Sequence, residues 1–197
     1  ETGIRTELFS LMAQVPSEDL HVLSHEEARR LRLVNDGRGV PEWSIEASEA
    51  GFYLRGAQDT AWGPGKVVLG CLGTGWMLMG FYSVTNAEEI ATGAVRASVR
   101  VDDDFLPLEG KSFYAKNGDV VGMADLAPAT VARLRRAAEI GFAFHPLNPE
   151  IFWGFAVEVG EFREKVDRYF SACEARCRSG TLWPVIGHNE TSKGAQR

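Results

Sequence analysis

The sequence predicts an α+β fold in which a mainly antiparallel, twisted sheet packs against two helices, with a helical segment at the N-terminus. Three observations indicate this class. The middle of the 197-residue chain alternates apolar and polar residues with a period of two, which is typical of strands. Apolar residues recur at helical spacing in two later segments, 128–139 and 163–177. Two further helical patterns come before residue 41.

The composition is that of a globular protein, and it argues against several functions. Hydrophobic residues make up 45% of the chain and charged residues 24%, and the formal net charge is −6. A chain this acidic lacks the positive surface of a nucleic-acid binder. The basic clusters Arg29–Arg32 and Arg133–Arg136 lie in helix-like segments and are interpreted as solvated helix faces rather than phosphate sites. No apolar run reaches the roughly 18 residues that cross a bilayer, so we expect no membrane span.

Residues 1–41 form the predicted N-terminal helical segment. Apolar spacing predicts helices over 4–15 and 25–31, and Ser24 with Glu27 forms a capping box before the second. The turn-rich stretch Asn35–Pro41 predicts a domain boundary. Unless the two helices lie against the rest of the chain, their apolar stripe is a site for a protein partner or for self-association.

Residues 42–178 form the predicted α+β domain. Its strand patterns cover 51–58, 66–72, 76–83, 94–101, 111–116, 119–123 and 151–161. Asn117-Gly118 predicts a hairpin, because both residue types tolerate a positive φ. A helix is predicted from Asp125 to Glu139 and another from Arg163 to Cys177, each with an apolar stripe. The polar residues 179–197 are predicted to form a flexible tail.

The longest apolar run, Lys66–Val84, contains the glycine-rich stretch Gly70–Gly75. A glycine-rich turn after a strand binds phosphate when a helix N-terminus follows it. Here the apolar strand Trp76–Tyr82 follows, and no P-loop Lys-Ser/Thr is present. We therefore interpret the stretch as the turn between two core strands and expect no cofactor.

The remaining candidate catalytic and metal residues are also interpreted as structural. Asp102–Asp104 lacks the alternate spacing of a calcium loop and is interpreted as an acidic turn. The four histidines show no zinc spacing, and His145, next to Pro146, is expected to be a surface or locally bonded residue in a turn. A nucleophilic Cys71 paired with His145 is disfavoured, because an apolar strand keeps a thiol protonated. No serine lies in a nucleophile elbow, and the chain has no recognisable catalytic set. We therefore favour a protein that is not an enzyme.

Three cysteines and one tryptophan are the positions singled out. A disulfide from Cys71 to Cys173 or Cys177 is one interpretation, and it requires an exported protein. Three buried free thiols in a reducing compartment is the other, and both stay open. Trp62 precedes a Gly-Pro-Gly turn and is expected to be an exposed contact residue.

The N-terminal segment carries a family resemblance. Residues 23–36 read L-S-x-x-E-A-x-x-x-x-L-V followed by Asn-Asp, with matches at Leu23, Ser24, Glu27, Ala28, Leu33, Val34 and Asp36. Leu8–Asp36 thereby resembles the closing part of a Clp protease/crotonase-type domain. The order of a ClpP-like end and a β-rich tail resembles uncharacterised exported bacterial proteins of the periplasmic ClpP-like group. The tail, from about Gly51 to Cys173, is similar to small periplasmic domains of the invasion-associated locus B type.

The resemblance implies that the chain is the C-terminal part of a longer protein, whose catalytic serine and basic partner lie upstream of Leu8. We therefore expect a non-enzymatic accessory or binding domain of an exported bacterial protein in the periplasm, with the cytoplasm as the alternative location. Two other functions stay open at this point. One is a fragment of a ClpP-like serine hydrolase that lacks its catalytic core, and the other is an oligomerisation module.

Overall fold

The computed structural model describes residues 7–14, 16, 22–23, 27–28, 31, 37–48, 51–72, 75–108, 112–148 and 150–179. The chain divides into two compact units, Glu1–Gly39 and Val40–Arg197. In the first unit, helix α1 spans Glu7–Gln14, and both ends of the predicted helix 4–15 lie outside the described residues. Most of the predicted helix 25–31, including its capping Ser24, lies outside them as well.

The second unit contains ten strands, three α-helices and a 3-10 helix among its described residues. The strands are β1 (Glu42–Ser48), β2 (Gly51–Thr60), β3 (Gly63–Leu72), β4 (Gly75–Ser83), β5 (Arg96–Val101), β6 (Asp104–Pro107), β7 (Phe113–Lys116), β8 (Asp119–Leu126), β9 (Glu139–His145) and β10 (Trp153–Glu158). The helices are α2 (Ala87–Gly93), α3 (Pro128–Arg136) and α4 (Arg163–Ser179), with the 3-10 helix Gly160–Phe162 before α4. No helix in the described part of the chain is long and apolar enough to cross a membrane.

The strands form two antiparallel sheets. One has six strands in the order β1-β2-β3-β4-β8-β7, and the other has four in the order β10-β9-β5-β6. The α+β class and the antiparallel pairing are thereby confirmed, but the strands predicted as a single sheet divide between two. The division follows from the pairing of β4 with β8, which runs from Trp76 opposite Leu126 to Ser83 opposite Asp119. Because β8 occupies that edge of β4 over eight residue pairs, β5 and β6 pair with β9 in a separate sheet.

Glycines in the six-stranded sheet let aromatic side chains of the four-stranded sheet pack against it. The Phe142 ring contacts Gly80 and Gly122, where an added Cβ would lie 2.2 Å and 2.6 Å from ring carbons. Phe155 contacts Gly65 in the same manner, at 2.2 Å from an added Cβ. A strand glycine commonly marks such a close approach. The inner faces of the two sheets therefore share one core.

Helix α4 packs on the same inner face of the six-stranded sheet. Its buried side chains are Val166, Tyr169, Phe170 and Cys173. The Phe170 ring stacks on Trp76 at a centroid distance of 5.1 Å. The Tyr169 hydroxyl donates to the carbonyl oxygen of Leu69 at 2.9 Å, and burial raises the pKa of Tyr169 to about 12. The apolar stripe predicted for this helix is therefore the surface that contacts the sheet.

Both hairpins predicted from the sequence are confirmed. Leu72 pairs with Gly75, so β3 and β4 are joined by a two-residue connection. Asn117 and Gly118 have φ angles of 54° and 83°, which are the positive values that this turn requires.

Two local predictions are wrong. Asp125 lies in β8 rather than at a helix start, because the ladder with β4 continues to Leu126 and α3 begins at Pro128. The helix ends at Arg136, and Glu139 belongs to β9. The predicted acidic turn is confirmed at Asp102 and Asp103, which follow β5, and Asp104 begins β6. Helix α2, of seven residues, was not among the predicted helices.

Candidate binding surface

An exposed apolar surface lies at one end of the four-stranded sheet, on the face directed away from the other sheet. We call it the aromatic patch, and it consists of the contacting rings of Phe105, His145 and Phe152, next to the loop that carries Leu147 and Ile151. Within β9, alternate residues directed to the core include Phe142 and Phe144, so His145 lies on the outer face. Phe105 and Phe152 are 38% and 43% exposed, and Leu147 is 86% exposed. Large apolar side chains are grouped here in contact with solvent.

Three rings form the centre of the aromatic patch. The centroids of Phe105 and Phe152 are 4.9 Å apart, with the rings inclined at 61°. The His145 ring lies 5.4 Å from Phe105, edge to face, and 6.0 Å from Phe152. These distances are in the range at which aromatic pairs attract one another beyond simple burial of area. The two phenylalanines are thus held in place by contact with the histidine.

A hydrogen bond with Ser98 in β5 fixes the position of the His145 ring. The distance from Nε2 to the Ser98 hydroxyl oxygen is 3.1 Å, and both side chains are buried. Burial lowers the pKa of His145, and the positive charge of Arg96 lowers it further. The expectation of a surface or locally bonded histidine in a turn is therefore wrong. The ladder with β5 continues to the end of β9, where His145 pairs with Arg96 before Pro146.

Replacing His145 by Gln is expected to flatten the pH dependence of stability on the acidic side. The folded-state pKa of His145 lies below the unfolded value of about 6.5, so the unfolded chain takes up the proton first as the pH falls. The contribution of His145 is complete above that value and decreases as the pH falls below it. Urea unfolding at several pH values between about 5 and 8 measures the difference in slope. Equal slopes for His145→Gln and the unsubstituted chain would contradict the buried, neutral histidine.

A cationic residue lies beside His145 of the aromatic patch. Arg96 is exposed and sits opposite His145 in the β5–β9 register. In the described part of the chain it forms no ion pair with a carboxylate. The apolar patch thus has a cationic side chain at its edge that is available to a carboxylate of a partner.

The Ser98–His145 pair has the spacing of a nucleophile and a base, but it lacks the other parts of a catalytic set. Within the described residues, neither side chain hydrogen-bonds to a carboxylate, and Ser98 is only 3% exposed. No group of three or more metal-binding side chains occurs in that part of the chain either. The pair can fix the position of an imidazole ring, and this is the role that its contacts support.

Of the residues singled out in the sequence, the structure brings together only two cysteines among the described side chains. Cys71 and Cys173 form a disulfide between β3 and α4, with Sγ atoms 2.16 Å and Cα atoms 6.1 Å apart, so Cys71 does not pair with His145. Cys177 belongs to α4, but its side chain lies outside the described part. Trp62 is 81% exposed at the β2–β3 turn, and its role as a contact residue stays a prediction. None of these positions belongs to the aromatic patch.

Sequence reasoning did not find the aromatic patch, although one signal was available. The loop between β9 and β10 contains three large apolar side chains, Leu147, Ile151 and Phe152, among prolines and polar residues. Apolar residues in a short turn-rich loop are candidates for contact with a partner. Phe105 gave no such signal, because it reaches the patch only through the pairing of β6 with β5.

Comparison with known proteins gives only distant structural likenesses. No protein-family model matches the chain, and no curated protein matches it. The chain is similar to the crystal structure of invasion associated protein B from Bartonella henselae, with 11% identity and a TM-score of 0.43. The match covers 70% of this chain and 95% of that one. At this level the likeness identifies neither a family nor a function, and the ClpP/crotonase resemblance of Leu8–Asp36 stays a prediction.

Proposed function

We propose that this chain is a non-enzymatic binding domain whose aromatic patch docks a segment of another protein. The observation that carries the proposal is the pair of exposed rings, Phe105 and Phe152, held by a histidine that is itself buried and bonded to Ser98. Aromatic side chains supply much of the binding energy at protein interfaces, and pre-ordered ones lose little entropy on binding. A buried polar pair that fixes two exposed rings is consistent with such a contact.

The chemistry of the partner segment follows from the charge at the edge of the patch. Arg96 can form a bidentate hydrogen-bonded ion pair with a carboxylate of the partner. A large apolar side chain of the same segment can then cover Phe105 and Phe152. The partner is therefore a peptide segment in which Asp or Glu lies close to Leu, Ile or an aromatic residue. A basic segment is disfavoured, because it would bring like charges together.

Export of the protein is part of the proposal. The disulfide between Cys71 and Cys173 supports it, because disulfides persist mainly in oxidising compartments. We place the domain in the periplasm, as part of an exported bacterial protein.

Helix α1 offers a second contact, since Phe9 and Met12 are exposed. Sedimentation velocity of Met12→Ser tests self-association through α1, and unchanged behaviour would remove that contact from the proposal.

Selection from a random peptide library displayed on phage tests the proposed partner chemistry. With the full chain as bait, we expect enriched peptides to share an acidic residue close to a large apolar one. Counter-selection against Phe152→Ser should remove these peptides, because it takes away an exposed ring without altering the core. Enrichment of basic peptides, enrichment that survives counter-selection, or no common motif would overturn the proposal. Concentration-dependent dimers that Phe152→Ser abolishes would instead make a second copy the occupant.

A further inference from the structure

We propose that a cavity between the end of α3 and the start of α4 binds a small polyvalent oxyanion, a molecule with a phosphate group or several carboxylates. The cavity has a volume of about 370 Å³ and is lined by Arg135, Arg136, Arg163 and Asp167. The cavity is open to solvent and Arg136 is exposed, so a ligand would be held there by charge and hydrogen bonds rather than by enclosure. Three guanidinium groups around one carboxylate are an unusual lining in a chain whose net charge is −6.

Arg163 is held rigidly at the edge of this cavity. Its Nη1 donates to the carbonyl oxygen of Arg135 at 2.7 Å, and its Nη2 donates to that of Ala137. These carbonyls belong to the C-terminal end of α3, so Arg163 caps that helix. A guanidinium group has five N–H donors, and these two bonds leave three of them for a ligand. Because the two bonds fix the group, binding an anion there costs little side-chain entropy.

Arg135 and Arg136 differ in the partners that they already have. Arg135 contacts both carboxylate oxygens of Glu174, at 3.1 Å and 3.2 Å, and lies 3.9 Å from Asp167. Its charge is therefore largely balanced. Arg136 donates from Nε to the carbonyl oxygen of Ala132 and, within the described residues, forms no ion pair. Its four remaining donors are left to solvent or to a ligand.

The charge around the cavity is therefore positive once the internal pairs are counted. Arg136 and Arg163 bind no carboxylate in the described structure, and Asp167 opposes them with a single charge at 3.9 Å from Arg135. A monovalent anion gains little in the presence of Asp167. A phosphate or a polycarboxylate has several acceptor oxygens and more negative charge, which suits a site lined by more than one guanidinium group.

The sequence interpretation of Arg133–Arg136 as a solvated helix face accounts for only part of this cluster. Arg133 does lie on such a face, where it pairs with Asp104. Cations at a helix C-terminus are also favourable on general grounds. Neither reason explains why Arg136, at the end of α3, and Arg163, at the start of α4, line the same cavity. This meeting is a product of the tertiary fold.

Titration of inorganic phosphate and of citrate into the full chain, followed by isothermal calorimetry at constant ionic strength, tests the proposal. We expect saturable binding of at least one of the two in the millimolar range or tighter, with chloride giving none. Arg136→Gln should weaken binding roughly tenfold, because it removes charge-assisted hydrogen bonds. Arg133→Gln is the matched control, since it removes the same charge from the same helix but leaves the cavity intact, and its affinity should stay unchanged.

A gain of affinity provides an independent test. Asp167→Asn removes the carboxylate that repels the ligand and is expected to tighten binding roughly two- to fivefold. Binding of phosphate alone indicates a phosphoryl ligand, and binding of citrate alone indicates a polycarboxylate. Equal losses in Arg133→Gln and Arg136→Gln would show a general charge effect and overturn the proposal. Absence of saturable binding to both probes would overturn it as well, without affecting the role of the aromatic patch.

Discussion

Loss of the Cys71–Cys173 disulfide is expected to lower the free energy of unfolding by about 4 to 5 kcal/mol. The two cysteines are separated by 102 positions, and closing a loop of that length restricts the unfolded chain by about this amount in the chain-entropy treatment. The bond also holds α4 against β3, where Phe170 stacks on Trp76. For a domain of this size the expected fall in the melting temperature is roughly 10 to 15 °C.

Urea unfolding with and without a phosphine reductant measures this effect, and the double variant Cys71→Ala/Cys173→Ala should reproduce the reduced protein. Cys177→Ser is the matched control, because it removes the cysteine that does not take part in the bond, and it should leave the sensitivity to reductant intact. Stability that does not respond to reductant would contradict a disulfide in the native protein. It would also remove the main support for export.

Gly80→Ala is expected to destabilise the domain by about 1 to 3 kcal/mol. An added Cβ would lie 2.2 Å from a ring carbon of Phe142, and that ring is fully buried and packs on its other side against Gly122. Since the ring has no room to move away, the two sheets must separate locally. The expected cost is that of overpacking a core, which forces side chains off their preferred rotamers.

Gly70→Ala is the matched control in the neighbouring strand of the same sheet. Among the described residues, an added Cβ at Gly70 meets no heavy atom within 4 Å, so this variant should be within about 0.5 kcal/mol of the unsubstituted chain or slightly more stable. Adding Phe142→Leu to Gly80→Ala should recover part of the loss, because the smaller side chain makes room for the methyl group. Equal stabilities of the two glycine variants, measured by urea unfolding, would contradict the close contact between the sheets.

Local sequence patterns predicted seven of the ten strands and both hairpins, but not β1, β6 or β9. The alternation in β3 and β4 and the turn at Asn117-Gly118 depend on neighbouring residues, and both were predicted correctly. The end of β8 was not, because its pairing with β4 overrides the helical signal of Asp125 and Pro128. The end of β8 pairs with residues about fifty positions away, and this pairing, rather than the local composition, determines its structure.

The division into two sheets and the candidate sites could not be read from the sequence for the same reason. Phe142 fits against Gly80 and Gly122 only after three strands have come together. The burial of His145 depends on Ser98, which lies 47 positions earlier, and the arginine cavity depends on α3 meeting α4. These contacts join residues whose types are individually unremarkable. What gives them a function is where the fold places them.

The affinity of one peptide from the library selection for three forms of the chain tests the central claim most directly. The forms are the unsubstituted chain, Phe152→Ser and Phe52→Ser. Phe52 is the matched control, because it is a phenylalanine of similar exposure, 53% compared with 43%, and lies in the other sheet. Calorimetric titration should show binding at least roughly tenfold weaker for Phe152→Ser, as expected for an aromatic hot spot, and unchanged for Phe52→Ser. Equal affinities for Phe152→Ser and the unsubstituted chain would contradict a binding function of the aromatic patch.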